Sequence, residues 1–360
     1  MLKEYIHTHD LNDEAAWDHV DSLLDTGSFI DYFALEMFAG NADRPSNNLK
    51  YWKPSIDQGK WRYLMYAMDA TMNVVGWIPI DFDMFYWVLV HRAGTVHAET
   101  YRSLMERDGF RRAFLNRLAD LMNTSLSPEN FLEASDRIRN TIATETHGHF
   151  ARWDRDIARW YEHVDGIIPI FASARADIMR TDVLEWYGFP NTAKLRFEVY
   201  PPGAGRIHIN TIEPKTPFTG VYFNGNDIDI TAIPEDGFQF DHWSYDLEPN
   251  ARPTLPHQRR SFASDGTVTA WFTHPGELLA TFPNPCVDHV DVSVHGTRGS
   301  LVELVLGDAQ GRVVHRSTHP VGVGVNNIRL SLFDFAPGML TLQARIEDGV
   351  HAIRLVKLAP

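Results

Sequence analysis

Apolar positions recur at helical spacing through the first half of the chain and alternate with polar ones through the second, with the change falling at Pro190. Phe29, Tyr32, Phe33, Leu35, Met37 and Phe38 approximate one helical face, with Ser28 as the expected cap and Gly40 as the expected stop. An earlier helix is expected through 20–24, capped by Asp10 or Asn12. Stretches 49–53 and 61–68 alternate as two short strands around an Asp57-Gln58-Gly59 turn. Helical spacing returns past Asp81, at 101–107, 110–123 and 128–147, the last with Ser127 as cap and Pro128 at the first helical position. Residues 157–187 read as one or two further helices, interrupted at Gly166 and Pro169 and ending at Gly188.

From 193 to 272 the chain is β-branched and aromatic, with turns expected at Pro201-Pro202-Gly203, Asn224-Gly225, Glu235-Asp236-Gly237 and Asp265-Gly266. Beyond 277, short alternating stretches at 287–294, 301–306, 311–315, 327–332, 336–340 and 354–358 are the pattern of a sandwich. The expected class is therefore multidomain α+β. A mostly helical lobe spans 1–189, a small β domain 190–275, and an Ig-like antiparallel β-sandwich 276–360.

At 360 residues the chain is long enough for two or three domains with their own cores, and a hydrophobic fraction of 44% excludes wholesale disorder. A net charge of -14 argues against nucleic acid and anionic lipid as partners, since both need a basic face. The lone cysteine, Cys286, allows no intrachain disulfide and has no base near it in sequence to make it a nucleophile. No run of about eighteen apolar residues marks a membrane span. The first ten residues have no apolar signal core, so a leader, if the protein is exported, is expected upstream of Met1.

Candidate chemistry centres on Asn41 to Asn48. Asp43 and Asn48 stand five apart and Asp69 follows after the expected strand, a spacing that kinases use to orient a hydroxyl and hold metal against phosphates. The same residue types also build an ordinary capped turn. Asp81 and Asp83 precede an apolar helical stretch and read as capping acids. His147, His149 and His163 lack the four-residue spacing that grips zinc on one helix face. Trp52, Trp61, Tyr63, Tyr66, Trp77, Tyr86 and Trp87 read as core and rim, with carbohydrate stacking as the alternative.

The segments 29–43, 47–53 and 59–66, in that order, resemble the catalytic segment of the CotH family, the spore-coat protein H kinases. Glu145, His149, Arg152 and Trp153 resemble a recurrent segment later in the same lobe. The resemblance implies transfer of the ATP γ-phosphoryl group to a protein hydroxyl with magnesium, Asp43 orienting the acceptor and Asn48 and Asp69 holding the metal. Members usually carry an Asp-x-Asp pair where this chain reads Ala67-Met68-Asp69. The match corresponds to the family's carboxyl-terminal lobe, so the chain as given is expected to lack the nucleotide-binding lobe and to be inactive.

The succession of 205–211, 220–225, 228–234 and 237–243 resembles a divergent InlB-type B-repeat, expected to act as a spacer. Pro283-Asn284-Pro285, the Asp308-Ala309-Gln310-Gly311-Arg312 hairpin, Pro337-Gly338-Met339 and the closing Val356-Lys357-Leu358 resemble the type IX (Por) secretion sorting domain of Bacteroidetes. That likeness implies the type IX machinery as a partner, a secreted or outer-membrane surface location, and cleavage near 276–282. The competing expectation is a non-catalytic surface protein that presents the aromatic loops between Trp77 and Trp87 to a partner or glycan.

Overall fold

The computed structural model describes residues 2–55, 59–273, 279–296, 300–322, 324–346 and 349–359. The first part is helical: α1 Leu2–Thr8, α2 Glu14–Leu23 and α3 Thr26–Phe38, then a hairpin of β1 Lys50–Trp52 and β2 Arg62–Leu64. It continues with α4 Met84–Tyr86, which widens into a π turn at Trp87–His91, then α5 Val96–Glu106, α6 Asp108–Asn123 and α7 Pro128–Arg152. It closes with α8 Ala158–Tyr161, a second π turn at Glu162–Ile167 and α9 Ile168–Tyr187.

The helix starts differ from the sequence expectation. Asp13, not Asp10 or Asn12, caps α2 by accepting from the Ala16 amide at 2.9 Å. Asp25, not Ser28, caps α3, because its carboxylate reaches the free amide of Ser28 at 3.0 Å. Ser28 is left to pair with the Tyr63 backbone in β2, accepting from its amide at 2.8 Å and donating to its carbonyl at 3.1 Å. The second strand stops at Leu64 rather than running to Met68, and Ala67 takes a left-handed φ of 54° that no strand continues through. Asp57 and Gln58 lie outside the described residues.

Gly166 and Pro169 do not interrupt the last helical run. The chain widens into the π turn, and Pro169 sits in the first turn of α9 just after it, where its missing donor falls at the change of bonding pattern. Gly188, with φ 67°, ends the run in the left-handed cap that glycine favours.

Two sheets follow. One has the order β5 Phe218–Phe223, β3 Thr192–Tyr200, β9 Gly266–Thr273, β7 Gln239–Tyr245, and the other β4 Gly205–Ile209, β6 Ile228–Pro234, β8 His257–Arg260. Strands β3 and β9 are parallel and the remaining pairs antiparallel. The chain change at Pro190 is real, yet the packing does not divide there: one hydrophobic cluster runs from Ile6 through α3, α6 and α9 to Phe272. The β unit is thus fused to the helices rather than hung from them as a spacer.

Helix α6 makes that junction with a polar stripe. Asn116, Asp120 and Asn123 recur at helical spacing on one face. Asp120 is fully buried and accepts from the Asn210 amide at 3.1 Å, the Thr211 amide at 2.9 Å, the Thr211 hydroxyl at 2.7 Å and the Tyr222 hydroxyl at 3.2 Å. Asn123 exchanges two bonds with the Val221 backbone, and Asn116 donates to the Asp227 carbonyl at 2.9 Å.

The last part is two antiparallel sheets around a separate core. One has the order β10 Leu279–Phe282, β11 His289–Gly296, β14 Gly324–Ser331, and the other β13 Val313–Val321, β12 Ser300–Gly307, β15 Gly338–Ile346, β16 Gly349–Lys357. The chain as a whole is a mixed α+β protein of several units. Among the described residues no helix is long and apolar enough to cross a membrane.

Candidate functional site

The loop after α3 is shaped from below by buried charge. Glu36, on the last turns of α3, is 2% exposed and takes Arg44 Nε at 3.0 Å and Asn41 Nδ2 at 2.7 Å. Arg44 spends the rest of its guanidinium on the carbonyls of Asn47 and Tyr66. Burial pushes the Glu36 carboxyl upward, and the hydrogen bonds and charge of Arg44 oppose it. Asn41 Oδ1 in turn receives the Asp43 amide at 3.2 Å. A charged residue inside the apolar face of α3 is the one sequence signal of Glu36, and Asn41 and Arg44 lie in the candidate stretch without a role assigned to them.

That network brings two of the three expected site residues together. Asn48 Nδ2 donates to Asp43 Oδ2 at 2.9 Å. Asn48 holds a left-handed φ of 52°, a conformation that asparagine tolerates better than most side chains, so the backbone as well as the amide favours Asn here. Its carbonyl Oδ1 has no protein donor among the described residues.

Asp69 is on a neighbouring segment. Arg44 holds the Tyr66 carbonyl, Asn41 Nδ2 lies 3.8 Å from Met68 Sδ, and the Met72 amide donates to the Ala39 carbonyl at 2.7 Å. Between these ties Asp69 is exposed, and among the described residues it forms no hydrogen bond or ion pair with Asp43 or Asn48. An unpaired carboxylate and an unpaired amide oxygen are, by donor type, what magnesium takes while it keeps several waters. No cluster of three or more His, Cys, Asp or Glu that could hold a metal occurs among the described residues.

Asp43 opens into a cavity of about 460 Å³ walled by Trp77, Phe82 and Trp87, with Arg92 at its edge. Trp87 is tied to the loop itself, its indole Nε1 donating to the Arg44 carbonyl at 2.6 Å. Phe82 stands edge-on to it at 5.8 Å, and the Arg92 guanidinium lies over its ring at 4.7 Å. The far wall is held by Arg175 of α9, 1% exposed, which donates to the carbonyls of Met37, Phe38, Ile80 and Phe82. Burial lowers its pKa to about 10. No sequence pattern pointed to Arg175 or Arg92.

A larger cavity, about 740 Å³, is lined by Pro45 and Ser46 of the same loop and by Tyr51, Trp61, Tyr63 and His97 among others. It contains none of Asp43, Asn48 and Asp69. Tyr63 and His97 meet there at 2.8 Å, and burial lowers the His97 pKa, which favours the neutral ring.

The remaining candidates are structural. Asp83 caps α4 through the amides of Phe85 and Tyr86 and receives the Trp186 indole at 2.7 Å. His147 faces the Tyr161 hydroxyl at 3.4 Å, and His149 packs on Phe150. Cys286 is buried with its thiol pKa raised by that burial.

Residues 1–179 match the model of the CotH kinase protein family, and residues 211–275 match that of the divergent InlB B-repeat domain. No curated protein matches the chain. Among solved structures, a DUF3823 family protein from Bacteroides ovatus is 9% identical over 46% of this chain and 99% of its own, with a TM-score of 0.17. Another, from Parabacteroides merdae, is 13% identical over 46% of this chain and 98% of its own, also with a TM-score of 0.17. Scores this low carry no structural argument.

Proposed function

We propose, against the expectation of an inactive chain, that the helical part is a CotH-type phosphotransferase lobe that passes the γ-phosphoryl group of ATP to a protein hydroxyl. What carries the reading is the Asp43–Asn48 pair, joined at 2.9 Å on a loop whose shape is fixed by the buried Glu36–Arg44–Asn41 network within the stretch that matches the CotH family model. Rigid positioning is most of what phosphoryl transfer asks of a protein.

Asp43 accepts a hydrogen bond from the acceptor hydroxyl and takes its proton as the oxygen bonds to the γ-phosphorus and the bond to the β,γ-bridging oxygen breaks, releasing ADP. Asn48 Oδ1 and Asp69 would hold magnesium, which would supply charge neutralisation at the phosphate oxygens. The amide of Asn48 keeps the Asp43 carboxylate aimed while its other end serves the metal. Arg44 keeps both residues in register by binding the Asn47 and Tyr66 carbonyls on either side of the site.

The two-sheet terminal unit is, in the same proposal, a type IX sorting domain that sends the protein to the cell surface. Two features of its motif residues support this. Asn284 and Cys286 pair with the backbone of Arg354, Val356 and Leu358, so the opening segment seals the closing strand. Asp308 accepts the amides of Gln310 and Arg312 and the Arg312 guanidinium, which shapes the hairpin around Gly311 at φ 80°. The proposed cleavage stretch near 276–282 lies partly outside the described residues.

The test is phosphotransfer from radiolabelled ATP and magnesium to a casein or serine-peptide acceptor, with Asp43→Asn beside the parent. Loss of roughly a hundredfold or more in rate is expected if Asp43 is the base. Label transfer that survives the substitution unchanged, or no transfer by the parent, contradicts the reading.

A further inference from the structure

The cavity that contains Asp43 contains neither Asn48 nor Asp69. On the phosphotransfer reading, on which this inference rests, this cavity is where the acceptor meets Asp43. The same cavity is lined by Arg92, a cation with no carboxylate within ion-pairing distance among the described residues. Its Nε is buried without an acceptor, and the terminal Nη atoms, which have no protein acceptor among the described residues, are the donors an incoming anion meets.

The guanidinium is also pre-positioned. It stacks on Trp87 at 4.7 Å, Trp87 is bonded to the Arg44 carbonyl at 2.6 Å, and Arg44 directly follows Asp43. This chain of contacts fixes Arg92 relative to the carboxylate that would meet the hydroxyl. A guanidinium held by its stacked face presents its edge to a planar anion, and a carboxylate is the group that fits it bidentately. Trp77, 62% exposed at the mouth, offers a surface against which a polypeptide backbone can lie.

We infer that Arg92 selects the acceptor: the substrate is a polypeptide whose hydroxyl residue has an acidic side chain beside it, the hydroxyl going to Asp43 and the carboxylate to Arg92. Arg92 is thus a specificity residue and takes no part in the proton transfer.

The experiment uses the full chain and three synthetic peptides with one serine flanked by glutamates, glutamines or lysines. Binding is measured by calorimetry without nucleotide, and phosphotransfer with ATP and magnesium in parallel, for the parent, Arg92→Met and Arg92→Glu. The glutamate peptide is expected to bind the parent about tenfold or more tightly than the glutamine peptide, in line with one charge-assisted pair. Arg92→Met erases that preference while keeping the packing on Trp87, and Arg92→Glu turns it toward lysine. Equal binding of all three peptides by the parent, no binding of any, or a glutamate preference that persists in Arg92→Met overturns the inference. A preference that depends on Arg92 in a chain that transfers no phosphate sustains the acidic-peptide site and sinks the phosphotransfer reading instead.

Discussion

Arg175 on α9 donates from Nε to the carbonyl of Phe38, the last residue of α3, at 2.9 Å across 137 positions of sequence. The same guanidinium reaches Met37 at 2.9 Å, Ile80 at 2.8 Å and Phe82 at 3.1 Å. One side chain thus satisfies the open carbonyls at the end of α3 and fixes the wall of the Asp43 cavity. Helix ends buried without partners are costly, so the role is structural first and functional through position.

Replacing Arg175 by Met leaves the Phe38, Ile80 and Phe82 carbonyls without that donor, while Met37 keeps the Gly40 amide at 3.2 Å. At about 1–3 kcal/mol for each group left unsatisfied, a loss of at least about 3 kcal/mol in unfolding free energy is expected by urea denaturation. Arg175→Lys recovers only part, because an ammonium cannot span the four acceptors. An unchanged midpoint would contradict the assignment.

Breaking the Glu36–Arg44 pair separates stability from activity. Arg44→Met alone strands a buried carboxylate and is expected to cost about 3–5 kcal/mol. The double change Glu36→Leu with Arg44→Met removes both charges and is expected to recover most of that loss. It does not restore phosphotransfer, since the Asn47 and Tyr66 carbonyls lose their common anchor. Recovery of both would show that the pair only packs.

Asn48 carries a backbone role and a side-chain role that two substitutions divide. Asn48→Gly keeps the left-handed φ of 52° without strain and removes the amide. Its melting temperature is expected to stay within a few degrees of the parent while phosphotransfer and magnesium dependence are lost. Asn48→Ala adds strain of about 1 kcal/mol or more on top. Full activity in the glycine variant would remove Asn48 from the site.

Asp120 gives a pH signature at the junction of helices and sheets. Burial raises its folded pKa above the usual carboxylate value, against the pull of the Thr211, Asn210 and Tyr222 hydrogen bonds. Its contribution is therefore fully present below the unfolded pKa and is lost as pH rises through the folded one. The stability advantage of the parent over Asp120→Asn is expected to be largest in acid and to shrink toward neutral pH in thermal melts. An advantage that grows with pH would reverse the sign and the explanation.

How much of this the chain discloses in advance depends on how local the cause is. The apolar face of α3, the stop at Gly40 and the Ser127-Pro128 start of α7 were readable because caps and periodicity act within a few residues. The cap of α3 was misplaced by three positions because Asp25 and Ser28 are both good caps, and only the pairing of Ser28 with Tyr63 releases it from the task. The stripe Asn116, Asp120, Asn123 resembles a solvated helix face, and nothing nearby in sequence reveals the sheet that covers it. Asp43 and Asn48 stand out in the sequence by spacing and resemblance, and the structure joins their side chains at 2.9 Å. Arg92 and Arg175 act from tens of residues away and left no local mark.

Calorimetric titration of the chain with ATP and magnesium, beside Asp69→Ala, tests the proposal that this lobe holds magnesium and nucleotide through Asn48 and Asp69. The account predicts saturable heat in the parent that depends on magnesium and falls at least about tenfold in affinity in the variant. Equal heat in both proteins, or none in either, would contradict it.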